Sequence, residues 1–153
     1  MEALSFQDLI LGQVWTTPRR TVTESDVVNF AGMTGDYNAL HCDHDFAAST
    51  PFRKPIAHGL LGISWVAGLG SRSPSVDTVA FAGIQNWQFL HPIFIGDTVY
   101  AELEVAAKES PGRRTGQVTW MNRLLNTEGK ILQQGEFITL VRVARPNSIR
   151  RAA

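Results

Sequence analysis

The chain is predicted to be an α+β protein, an antiparallel sheet wrapped around a central apolar helix. Three observations carry this. Residues 59–69 (GLLGISWVAGL) are apolar almost all round, which marks a helix that belongs in a core. From Thr98 onward the chain alternates with period two, the signature of half-buried strands. An antiparallel sheet with one apolar face needs a cover, and residues 59–69 are the only adequate candidate.

The elements follow in order. Phe6 to Trp15 reads as a short opening segment of edge-strand character, broken by Thr16-Thr17-Pro18, and Arg19 to Val22 reads as extended. Thr23 with Asp26 three residues on predicts a helix N-terminus, with Val27, Val28, Phe30 and Ala31 as its buried face. Gly32 and Gly35 are expected to end it, leaving Asp36 to His41 as a loop. Asp43 can cap a short helix through Phe46, Ala47 and Ala48, which Pro51 and Pro55 forbid from growing. After the apolar helix, residues 70–77 (GSRSPSVD) form a linker. Strands are predicted over 79–90, 98–108, 115–125 and 130–143. In the second of these Val99, Ala101, Leu103, Val105 and Ala107 face one way. In the last, Leu132, Ile138 and Leu140 oppose Ile131, Phe137 and Val141. The turns are Ser110-Pro111-Gly112 and Asn126-Thr127-Glu128-Gly129.

At 153 residues, 44% hydrophobic and 18% charged, the chain suits one domain spanning 1–153, with 142–153 a frayed tail. A formal net charge of zero gives no field for nucleic acid. The apolar run from Leu60 falls well short of the ~20 residues a membrane span needs. The first fifteen residues lack a signal peptide's basic start, and Cys42 is the only cysteine; a cytoplasmic protein without membrane attachment is expected.

Residues 35–59 (GDYNALHCDHDFAASTPFRKPIAHG) concentrate the proton-handling groups: Asp36, Asn38, His41, Asp43, His44, Asp45 and His58. They run directly into the apolar helix, and polar chemistry set against a buried helix is the pattern of a small-molecule site. Asp43, His44 and Asp45 read as cap and surface groups. His58 reads as a hydrogen-bonding residue at the helix start more than as a second base. A metal on His41, Asp43, His44 and Asp45 matches no closed zinc spacing, so no metal is assigned. Cys42 and His41, as neighbours on an extended loop, would point opposite ways and make no nucleophile pair.

The pattern D-Y-N-x-L-H, then F-A-A-S-T-x-F, then P-I-A-H-G-L, with Phe89-Leu90-His91-Pro92 and Gly96-Asp97-Thr98 downstream, resembles the MaoC-like family of (R)-specific enoyl-CoA hydratases and dehydratases. The resemblance runs from about Thr21 to Arg142 and implies a hot-dog fold, paired as a homodimer. It places Asp36 and His41 on the catalytic pair, Asn38 on the polar residue that helps hold the water, and Gly59 on the amide that receives the thioester oxygen. Two positions depart from the family: Ala39 stands for a usual proline, and Ala67 for a serine that several members carry on the helix. Ser64, one turn earlier, is a candidate substitute. Ser64, His58, Arg53 and Lys54 are assigned to substrate binding, with Arg53, Lys54, Arg19 and Arg20 as candidates for the phosphates of CoA. No cofactor is implied; the partner is an acyl-CoA or acyl-carrier-protein thioester.

The chemistry fits those residue types. Hydrating an enoyl thioester removes a proton from water and delivers one to the α-carbon, which a carboxylate and an imidazole sharing one water can do. Negative charge gathers on the thioester oxygen, where backbone N–H groups at a helix start are aimed donors. Two rivals stand beside this reading. An acyl-CoA thioesterase would direct the water at the carbonyl carbon. A non-catalytic acyl-binding subunit of a hot-dog heterodimer draws support only from Ala67.

Overall fold

In the computed structural model, residues 3–109 and 111–144 are described. Five strands form an antiparallel path: β1 (Val14–Thr16), β4 (Thr98–Lys108), β5 (Thr115–Asn126), β6 (Ile131–Arg142) and β3 (Thr78–Phe89), with β2 (Arg20–Thr21) also paired to β4. Four helices precede β3: α1 (Glu24–Thr34), α2 (Ala39–Cys42), α3 (His44–Ser49) and α4 (Gly59–Gly70). The expected layers are present. Leu61, Trp65 and Val66 of α4 pack into one core with Val99, Leu103, Val118, Trp120 and Phe137 of the sheet. Each such buried side chain is worth about 1.5–3 kcal/mol. No helix among the described residues is long and apolar enough to cross a membrane.

The structure departs from the expected elements in several places. The segment expected to have edge-strand character opens on a 3₁₀ turn, Phe6–Asp8, closed by the Asp8 carboxylate accepting from the Ser5 amide and hydroxyl, and becomes an edge strand only at Val14, as β1. Gly32 lies inside α1; Gly35 alone ends it, at φ 80°, a left-handed conformation that glycine adopts without strain. His41 and Cys42 sit on a helical turn, because Asn38 caps α2 by accepting from the Leu40 amide. Ala107 does not continue the inward row of β4, since a bulge falls between Val105 and Ala107 and leaves it exposed. At the start of β6 it is Leu132 that is buried and Ile131 that is half-buried, opposite an irregularity between Leu124 and Leu125.

The central helix is covered on one side only. Leu60 is 63% exposed, and Ser64, Ala67 and Gly68 lie exposed along with it. The tail expected to fray from residue 142 starts with an ordered residue: Arg142 ends β6 and donates to Asp77 at 2.9 Å. The rest of that tail, 145–153, lies outside the described residues.

Candidate active site

The site is built where the end of α1, the short helix α2 and the start of α4 converge. Thr23 and Asp26 form the expected capping box of α1, and Gly35 turns the chain out of it. Asp36 then sits in the turn, its carboxylate accepting from the Asn38 amide at 3.3 Å and its side chain 54% exposed. The cap made by Asn38 winds α2 and places His41 on its third residue. Beside α2 runs the segment leading into α4: the Ile56 amide donates to the Leu40 carbonyl and the Ala57 amide to the Ile93 carbonyl.

Backbone carbonyls set the tautomers of both imidazoles. His41 Nδ1 lies 2.7 Å from the Ile56 carbonyl oxygen. A carbonyl only accepts, so Nδ1 carries the proton and the lone pair is left on Nε2. His58 Nε2 lies 2.9 Å from the Asp36 carbonyl oxygen and likewise donates. The two rings stack with centroids 3.8 Å apart and planes 30° from parallel. His58 is 2% exposed, so it backs His41 from the protein side.

A nitrogen of His41, a nitrogen of His58 and an oxygen of Asp36 all lie within 4.8 Å of one another. Two imidazoles and a carboxylate are ligand types that a metal also takes, a grouping that the spacing of His41, Asp43, His44 and Asp45 in the sequence does not contain. The constellation suits a carboxylate and an imidazole acting on one small molecule.

His41 opens onto a groove of about 400 Å³ that is also lined by Phe52, Gly59, Phe89, His91 and Gln133. A Cβ at Gly59 would come within 2.8 Å of the Phe89 ring, so any larger residue there would have to push the ring aside. The Leu61 amide donates to the His58 carbonyl at 3.1 Å, while the N–H groups of Gly59 and Leu60 precede any intrahelical acceptor and lie at the positive end of the helix dipole. Gln133 Nε2 donates to the Gly59 carbonyl at 3.1 Å, while its Oε1 accepts from the Trp87 indole at 3.3 Å. A second, smaller cavity of about 200 Å³ lies at the other end of α4, between Val66, Gly70, Phe81 and Trp120, and shares no lining residue with the groove.

The remaining candidates lie further out. Ser64 is exposed and donates to the Leu60 carbonyl, one helical turn back. Arg53 and Lys54 follow the groove residue Phe52 on an exposed turn; Arg53 has φ 64°, and the Lys54 ammonium lies 4.5 Å from the centre of the Phe94 ring. Arg20 is engaged elsewhere, paired with Asp26 at 2.6 Å and stacked over Trp65. Arg19 lies over Tyr100. Asp43 caps α3 and His44 pairs with Glu24. Neither Phe89 nor Gln133 is a site candidate from the sequence alone. Gln133 has a signal, as a lone amide among the inward-facing residues of the last strand.

Residues 5–126 match the family described as "MaoC like domain". The chain belongs to the MaoC-like family. It is 37% identical over 137 residues to a protein of Rhodospirillum rubrum named (R)-specific enoyl-CoA hydratase, an alignment covering 89% of this chain and 90% of that one. It is 36% identical over 110 residues to Protein MaoC of Klebsiella aerogenes, covering 72% of this chain but spanning only 33% of that protein's length. A Mycobacterium tuberculosis protein described as a double hotdog fold superposes with a TM-score of 0.82 at 23% identity, over 95% of this chain and 46% of that one. The fold is a hot-dog fold. Within this MaoC-like chain, Asp36, His41 and His58 come together beside the start of α4, where His41 and Gly59 line the groove, while Ala67 lies two turns along the helix, at the smaller cavity.

Proposed function

We propose that the chain catalyses the reversible syn hydration of a trans-2-enoyl thioester to an (R)-3-hydroxyacyl thioester. One observation supports this above the others: His41 is held through Nδ1 on the Ile56 carbonyl, with a ring nitrogen within 4.8 Å of an Asp36 carboxylate oxygen, on a groove that contains the start of α4. Asp36 and His41 share the attacking water as a coupled pair. One takes its proton as oxygen adds to the β-carbon; the other delivers a proton to the α-carbon on the same face. Charge developing on the thioester oxygen is received by the Gly59 N–H, where a donor of this kind is worth about 10²–10³ in rate. Asn38 accepts from the Leu40 amide with its side-chain oxygen, which leaves its NH₂ to hold the water.

The substrate is an acyl-CoA or acyl-carrier-protein thioester, with Arg53 and Lys54 as the cations nearest the groove in sequence for its phosphates. No cofactor enters the reaction. A second copy of the chain is proposed to pair along β3, whose outer edge has no partner strand among the described residues. The names of the relatives support hydration and dehydration. The test is to incubate the protein with a trans-2-enoyl-CoA and assay both product configuration and free thiol. An (R)-3-hydroxyacyl-CoA without thiol release is expected; thiol release without hydration would assign the groove to a thioesterase.

A further inference from the structure

We infer that His58 is a positioning residue that sets the geometry of the Asp36/His41 pair from behind; this rests on the hydratase reading above. His58 is the N-cap residue of α4, yet its side chain makes no cap hydrogen bond to that helix. It turns away instead, into a buried position where three contacts meet. Its Nε2–H donates to the Asp36 carbonyl at 2.9 Å. Its ring face lies on the His41 ring at 3.8 Å. Its other neighbour is the Phe30 ring of α1, 5.1 Å away and tilted by 53°.

One residue therefore touches the backbone of the carboxylate partner, the face of the imidazole partner and the helix that precedes both. It is also bonded directly to Gly59. Ile56 ties α2 to the segment before α4 through the Leu40 carbonyl and His41 Nδ1, and His58 extends that join to the Asp36 turn and to α1. Without its hydrogen bond the turn carrying Asp36 keeps the local contacts of the Tyr37 amide to the Gly35 carbonyl at 3.1 Å and the two 3.3 Å contacts, of the Asp36 amide to Thr34 Oγ1 and of its carboxylate to the Asn38 amide, none of which ties it to α4. Without its ring, His41 would keep the Ile56 hydrogen bond but lose the surface that fixes its tilt. A displacement of about 1 Å in such a pair costs on the order of 10²-fold in rate.

The cost of this arrangement is visible. His58 Nδ1 is buried and has no hydrogen-bond partner among the described residues. An unpaired buried polar atom is destabilising, so the residue is not the best choice for folding alone. That separates a positioning role from a structural one. His58→Phe keeps a flat ring on His41 and Phe30 and removes the unpaired nitrogen, but cannot donate to Asp36. His58→Gln keeps a donor at the position of Nε2 and removes the ring.

The experiment measures thermal stability, kcat and KM of wild type, His58→Phe and His58→Gln on crotonyl-CoA. His58→Phe is expected to be as stable as wild type or more so, with kcat lowered about 10²-fold and KM nearly unchanged. His58→Gln is expected to lose kcat in the same sense. In an Asp36→Asn background the further loss from His58→Phe should shrink severalfold, because the residue acts through Asp36. A stable His58→Phe variant with wild-type kcat, or a loss confined to KM, would overturn the inference. Imidazole ¹⁵N spectra of the wild-type protein test the geometry without activity: His58 should be the Nε2–H tautomer and His41 the Nδ1–H tautomer, and the reverse for His58 would overturn the inference. Absence of hydration in wild type would instead overturn the proposed function, while the spectra still decide the His58 hydrogen bond.

Discussion

Gly59 is under two demands at once, and they make a prediction. It lines the groove at the start of α4, and a methyl group on its Cα would meet the Phe89 ring at 2.8 Å. Phe89 is itself 56% exposed, so the ring can be pushed aside. Gly59→Ala should therefore fold but lose roughly 10²-fold in kcat as the helix start and ring shift. Phe89→Ala introduced with it should restore much of that loss; a double variant as slow as the single one would show that Phe89 is not the cause. At this scale the sequence is informative where chemistry is local. Asp36, Asn38, His41 and Gly59 are picked out by their match to the family's pattern, which is a local one: the turn, the α2 cap and the α4 start lie within 24 residues of one another. The support behind them is not. His58 stacks on His41 only because two separate segments run side by side, and Gln133 reaches Gly59 from a strand 74 positions away.

At the level of elements, α1 and α4 are tied together by Asp26. Burial alone would raise its carboxyl group, but the Thr23 amide and hydroxyl and the Arg20 guanidinium outweigh that and hold it below its ordinary value. Arg20 in turn stacks on Trp65 of α4. With a folded-state value below the unfolded one, the unfolded chain binds the proton more readily. The stabilisation is thus complete above the unfolded value of about 3.9 and is lost as pH falls through the folded one. Asp26→Asn should cost about 1 kcal/mol at neutral pH, as lost caps do. The difference from wild type in urea titrations should narrow below about pH 4. Gly62 is the tightest point between α4 and β6: a Cβ there would overlap the Gln133 amide. Gly62→Ala should destabilise by about 1–3 kcal/mol, read as a lower urea midpoint, and should pull Gln133 off Gly59. The capping box of α1 is legible as Thr23 and Asp26 three apart. The bulge that exposes Ala107 is not, because alternating residue types do not reveal one extra residue in a ladder.

Over the whole molecule, the antiparallel sheet and its central helix follow from periodicity, but the side of α4 left open does not. An apolar helix reads as buried all round whether the cover comes from its own chain or from another. The structure leaves Leu60 and Ala67 exposed, and β3 is a twelve-residue edge strand exposed along nearly all of its length, with Val79 and Ile84 uncovered. A long apolar edge is a template for strand pairing. Val79→Lys with Ile84→Lys should halve the mass measured by light scattering, and a wild-type protein already monomeric at micromolar concentration would contradict the proposed pairing. The central claim concerns the proton-transfer pair, and the measurement that tests it most directly is the loss of the conjugated enoyl-thioester absorbance of crotonyl-CoA, for wild type, Asp36→Asn and His41→Gln. Hydration by wild type, falling by about 10²–10⁴-fold in each variant with little change in KM, is the predicted result. Wild-type rates retained in either variant would contradict it.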